Sequence, residues 1–132
     1  VQLTKQTDFA FRVLLYLGGI EAGKRVSIRE VCEHYDISHN HVAKIVLKLT
    51  TLNYIDSTRG HGGGIQLAKS PEMINVAQVI TDFETTLQPV NCTSPRCKII
   101  STCRLKDVLA EASSAFLASA SNHTLADLLA KS

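Results

Sequence analysis

Between Ser27 and Leu52 the chain starts a helix twice in quick succession, and this limits what it can fold into. Ser27-Ile28-Arg29-Glu30 fits a capping box, in which the serine and glutamate side chains each satisfy a free backbone N–H at a helix start. It opens a short helix from residue 28 to about 34. Tyr35-Asp36-Ile37 makes a turn, and Ser38 caps a second helix that runs to about residue 52. Within that helix Val42, Ile45, Val46 and Leu49 fall at the i, i+3, i+4, i+7 spacing of a buried stripe. Two short helices joined by a tight turn are the body of a helix-turn-helix.

What surrounds this pair completes a winged helix. Residues 4–18 read as a helix rich in Phe9, Phe11, Val13, Leu14 and Leu15, with apolar coverage wide enough to predict burial nearly all round, and Gly18-Gly19 ends it. Residues 54–58 and 65–68 are short strand-like runs. The hexapeptide Arg59-Gly60-His61-Gly62-Gly63-Gly64 turns the chain between them. Asn75 caps a further helix with Val76, Val79, Ile80 and Phe83 on its apolar face. Residues 86–103 carry Pro89, Pro95 and three cysteines and read as an ordered loop. A long helix then spans 104–121, with Leu105, Val108, Leu109, Ala112, Phe116 and Ser119 on one side, and Thr124 caps a last short helix within 122–132. The expected fold is mainly α with a small β-hairpin. A winged helix-turn-helix DNA-binding domain would occupy 1–85, with its wing at 54–68, and the cysteine-bearing loop and long helix would follow.

Composition narrows the class without deciding it. A chain of 132 residues, 45% hydrophobic and 20% charged, has the make-up of an ordinary globular domain. No apolar run approaches the roughly 18 residues of a membrane span. The opening residues lack the pattern of a signal peptide, so the expectation is a cytoplasmic protein with no membrane partner. The formal net charge of +2 is too small to name a nucleic-acid partner. Yet Lys44, Lys48, Arg59 and Lys69 crowd one stretch against the single acid Asp56, as a phosphate footprint would. No nucleophile–base pairing or phosphate loop is present, and His34 and His123 stand alone, so nothing points to an enzyme.

Two constellations carry chemistry. With its apolar stripe turned inward, the helix after Ser38 shows Asn40, His41, Lys44 and Lys48 on the opposite face. Such a helix suits the major groove of double-stranded DNA, where His39, Asn40 and His41 near its start reach base edges. Ser38 and the helix N-terminus can meet a phosphate. A polar solvent face would look the same. The glycine-rich tip adds weight, because glycine lets a backbone approach another surface closely. Gly62 and Gly63, flanked by Arg59 and His61, then become DNA contacts, against the alternative of a loose loop.

The second constellation is Cys92-x4-Cys97-x5-Cys103. Thiolates are soft ligands for iron–sulfur clusters or zinc. The paired Cys-x-x-Cys knuckles of structural zinc sites are missing, and the wider spacing suits a larger object. Cys103 stands at the start of the long helix, whose dipole favours a thiolate, and Arg96, Lys98 and Arg104 offset negative charge. Three cysteines leave four-fold ligation incomplete. Cys32 is available by count but reads as a small buried apolar residue of its helix.

These residues resemble the bacterial family of iron–sulfur winged-helix transcription regulators, and within it the nitric-oxide-sensing repressors. The likeness is carried by Leu3-Thr4 with Thr7-Asp8, by residues 38–45 of the recognition helix and by residues 59–65 of the wing. It continues through Val90-Asn91-Cys92 with Cys97, Cys103-Arg104-Leu105 and Thr124-Leu125-Ala126-Asp127-Leu128, so that it covers essentially the whole chain. The resemblance implies a homodimer paired through the long helix, bound to an inverted-repeat DNA operator. It also implies an iron–sulfur cluster, 4Fe–4S with 2Fe–2S as the alternative, held by Cys92, Cys97 and Cys103. Asp8 of the partner subunit would be the fourth ligand and Arg12 its neighbour. The plainer reading of Asp8 and Arg12, four residues apart on one helix, is a surface ion pair. Nitric oxide would be the signal, releasing DNA. The alternatives are a relative that senses cluster supply or redox state and, outside DNA binding, an electron carrier.

Overall fold

The computed structural model describes residues 2–21, 23–85, 87 and 104–130. Its elements are α1 (Lys5–Gly18), α2 (Ile28–Tyr35), α3 (His39–Thr51), β1 (Ile55–Thr58), β2 (Gly64–Leu67), a 3-10 turn at Pro71–Met73, α4 (Val76–Phe83), α5 (Leu105–Ala120) and α6 (Leu125–Leu129). The fold is the expected one: mainly helical, with a single two-stranded antiparallel hairpin among the described residues.

The caps explain where the helices begin. Ser27 Oγ accepts from the Glu30 N–H at 3.0 Å and Ser38 Oγ from the His41 N–H at 3.3 Å. Asn75 Oδ1 accepts from the Gln78 N–H at 3.2 Å. Such caps stabilise a helix by about 1 kcal/mol each. The expected capping box at Ser27 is only half formed, because the Glu30 carboxylate is taken by the Tyr16 hydroxyl at 2.5 Å. A complete box forms instead at α6, where Thr124 and Asp127 bond each other's backbone. Asp36 adopts a left-handed φ of 54° to end α2, and Ile37 N–H reaches back to the Cys32 carbonyl at 3.1 Å. This is the tight turn of the helix-turn-helix.

One core joins the parts. Leu14 of α1, Val31 of α2, Leu49 of α3, Ile65 of β2 and Leu125 of α6 are all at most 1% exposed within it. Burying each such side chain contributes roughly 1.5–3 kcal/mol. The broad apolar coverage of α1 predicts more burial than occurs. Ala10, Val13, Leu14 and Leu17 are buried, but Phe9, Phe11 and Leu15 lie on its flanks and are only half-buried. The hairpin pairs Ile55 with Leu67 and Thr58 with Gly64. Val26, just before α2, extends it by exchanging two backbone bonds with Ile65, at 2.9 and 2.7 Å. The wing is thereby fixed to the start of α2.

The long helix shows two apolar stripes rather than one. Leu109, Ser113, Leu117 and Ala120 turn toward the domain and are half-buried, and Ser113 Oγ donates to the Leu87 carbonyl at 2.8 Å. Leu105, Val108 and Phe116 are exposed. After α5 the chain comes back to the core. Leu125 N–H bonds the Ile74 carbonyl at 2.8 Å and Val76 N–H the His123 carbonyl at 3.0 Å. Leu129 packs so closely on Gly18 that a Cβ there would meet it at 2.5 Å.

Candidate nucleic-acid interface and cluster ligands

The start of α3 sits at the mouth of a groove of about 640 Å³ between α3, the first turn of α2 and the wing. His39, Ala43 and Leu47 form one wall, Arg59 and Gly63 the other, and Ser27 and Arg29 close the end. Asn40 and Lys44 are exposed on the outer side of α3. His39, Arg59 and Gly63 are thus gathered around one opening, with Asn40 exposed on the adjoining face of α3 and His61 and Gly62 exposed at the wing tip. Ser38 is exposed with its hydroxyl engaged as the helix cap.

His41 and Lys48 point elsewhere. The His41 ring lies 6.0 Å from that of Phe9, and Lys48 Nζ stands 4.6 Å from the centre of the Phe83 ring. With Lys5 and Lys44 they border a separate hollow between α1 and α3. Helical geometry explains the split: at 100° per residue, His41 and Lys48 fall on the edge of α3 nearer α1, away from the wing.

The glycines of the wing tip answer first to the wing itself. Gly62 has φ +77°, and a Cβ on Gly63 would lie 2.2 Å from the Thr58 carbonyl oxygen. Gly63 N–H closes the turn on the Gly60 carbonyl at 2.9 Å. The density of glycine, read from sequence as access to another surface, is therefore largely accounted for by the hairpin's own close contacts.

Sequence reasoning missed Ser27 and Arg29 as part of this opening, and no short-range signal betrays them. They arrive there because Val26 pairs with Ile65.

Cys92, Cys97 and Cys103 lie outside the described residues. Among the described residues no group of three His, Cys, Asp or Glu side chains comes together to hold a metal. Cys32 packs against the core as a partly buried residue. Burial pushes its thiol up, Glu33 adds to this, and a backbone hydrogen bond opposes it only in part. A protonated thiol is a poor ligand.

Asp8 is in the first turn of α1, its side chain 51% exposed and paired with Arg12 at 3.0 Å. The surface ion pair read from the sequence is therefore present. Arg12 also lies over the rings of Phe9 and Tyr35, at 5.7 and 6.0 Å. Sequence reasoning also missed Glu84. Its carboxylate accepts from the Thr4 N–H at 3.0 Å, from the Thr4 hydroxyl at 2.7 Å and from the Thr7 hydroxyl, and so pins the turn that carries Asp8. Burial pushes Glu84 up, but these donors outweigh it and hold the carboxyl below its ordinary value.

A capped recognition helix behind a tight turn, flanked by a hairpin with a cationic edge, defines a winged-helix DNA-binding protein. Residues 3–131 match the Rrf2 family, described as iron-dependent transcriptional regulator, and the chain belongs to that family. It is a DNA-binding transcriptional regulator and not an enzyme. Similar solved structures include IscR of T. potens, 20% identical, with a TM-score of 0.78 over 98% of this chain and 86% of that one. CymR, the global cysteine regulator of B. subtilis, is 19% identical with a TM-score of 0.69 over 98% and 96%. The oxidised form of Staphylococcus aureus CymR is 20% identical with a TM-score of 0.67 over 100% and 98%. No helix among the described residues is long and apolar enough to cross a membrane.

Proposed function

We propose that this regulator is a homodimeric repressor that senses nitric oxide through an iron–sulfur cluster, in the manner of the repressor NsrR. The reading is carried by one observation: three cysteines, Cys92, Cys97 and Cys103, spaced for a cluster in a member of an iron-dependent family. The donor set suits a 4Fe–4S cluster, since thiolates are its natural ligands. Cys103 comes two residues before the start of α5, where the helix dipole supports negative charge.

Asp8 fits the remaining position. Its carboxylate is solvent-accessible and its charge partner, Arg12, sits on its own helix, so a second subunit can approach it. The exposed stripe of Leu105, Val108 and Phe116 on α5 suits the pairing of two copies. When bound, the cluster supplies iron with which nitric oxide reacts, and a carboxylate is a harder, weaker ligand there than a thiolate. Asp8 of the partner subunit would tie the two protomers into one relation and so set the distance between the two α3 helices. An inverted-repeat operator demands a fixed distance. Release of that carboxylate frees the relation and lowers operator affinity.

Anaerobic purification with iron and sulfide counted per chain, followed by a gel shift with and without nitric oxide, tests the reading. About four irons per chain and nitric-oxide-dependent release are expected. About two irons, with binding indifferent to nitric oxide, would instead support sensing of cluster supply or redox state. Asp8→Ala is expected to lose cluster more readily and to bind the operator more weakly even in the absence of nitric oxide. An identical cluster lifetime and response in that variant would remove Asp8 from the account.

A further inference from the structure

Past His39, the strip of α3 that lines the groove toward the wing is apolar rather than charged, with Asn40 and Lys44 exposed on the neighbouring face. Leu47 is 68% exposed, the kind of position where a soluble helix ordinarily carries a polar side chain. Ala43 precedes it by one turn on the same wall of the groove. Thr50 and Thr51 follow, and their hydroxyls are turned back onto the helix. They donate to the carbonyls of Val46 and Leu47 at 2.7 and 2.9 Å. Their methyl groups are then what remains for an outside surface. Cations stand at the rim: Arg59 and Arg29, the latter paired with Glu33 at 3.1 Å, line the groove, and Lys44 is exposed on the face of α3 toward α1.

A cationic rim around an apolar strip matches a major groove, where phosphates border base edges and thymine alone offers a C5-methyl group. We propose that Leu47, with Ala43, reads thymine methyl groups, so that part of operator selectivity is hydrophobic rather than hydrogen-bonded. The proposal rests on the reading that α3 enters the major groove. One helical turn advances about 5–6 Å, against 3.4 Å per base pair along a strand. Ala43 and Leu47 therefore address thymines one or two steps apart within each half-site.

The test begins with a duplex selected from a random-sequence library by the full chain, purified anaerobically. Each thymine is then replaced singly by deoxyuridine, which removes only the methyl group, and affinity is read by fluorescence anisotropy. One or two positions per half-site are expected to weaken binding by about fourfold, the value of one buried methyl group. Leu47→Ala should weaken binding to the parent duplex and lose its sensitivity at one of those positions. Leu47→Met, of similar size, should retain it. Uniform indifference to deoxyuridine, or unchanged sensitivity in Leu47→Ala, overturns the methyl reading. If Asn40→Ala and Arg59→Ala still cost affinity in that case, α3 and the wing remain on the DNA and only the hydrophobic readout fails. If none of these changes affects affinity, the placement of α3 in the groove fails with it.

Discussion

Glu84, at the end of α4, receives three hydrogen bonds from the first residues of α1, and its charge is what makes them strong. Glu84→Gln keeps the shape and removes the charge. Losing the charge assistance is expected to cost about 1–2 kcal/mol, or a fall in Tm of roughly 3–8 °C. The pH dependence has a definite sign. The carboxyl is held below its ordinary value in the folded chain. Its stabilisation is therefore complete above the ordinary glutamate pKa of about 4.3 and is lost as pH falls through the lower folded value. Thermal melts at neutral pH should separate wild type from Glu84→Gln, and the gap should close on strong acidification. A gap that persists in acid would show that geometry, and not charge, holds the start of α1. Because the same turn carries Asp8, the proposed cluster should also be lost sooner in the variant.

At the scale of elements, the wing offers the sharpest prediction. A methyl group on Gly63 has no room beside the Thr58 carbonyl. Gly63→Ala is expected to open the hairpin tip and weaken operator binding tenfold or more, while circular dichroism still shows the full helical content. Unchanged affinity would detach the wing from DNA recognition. Most of these elements were legible because short-range chemistry specifies them. Serine and asparagine caps, a period of 3.6 and a glycine-rich turn all act within a few residues. What escaped depends on distant partners. Glu30 left its half of the capping box for Tyr16, and Ser27 and Arg29 joined the groove only through the pairing of Val26 with Ile65. The facing of α3 was legible in its buried stripe. The sequence did not distinguish His41 and Lys48, which lean toward Phe9 and Phe83, from His39, which opens on the wing.

For the whole molecule, the exposed stripe of α5 is where a second copy is expected. Leu105, Val108 and Phe116 are 54%, 57% and 38% exposed along one face, an arrangement that marks an association surface more often than a solvent face. Val108→Asp with Phe116→Asp should yield a monomer by sedimentation and lower operator affinity at least tenfold, with the helical fold retained. A dimer that survives both changes would place the interface elsewhere. The return of the chain through Leu125 and Leu129 has a separate consequence. In the chain, Cys92, Cys97 and Cys103 come between α4 and α6, both of which pack on the DNA-reading body. Closing a longer insertion costs little, since each doubling of its length adds only about 0.6 kcal/mol. The same head can therefore carry sensory segments of different lengths and chemistries without being rebuilt.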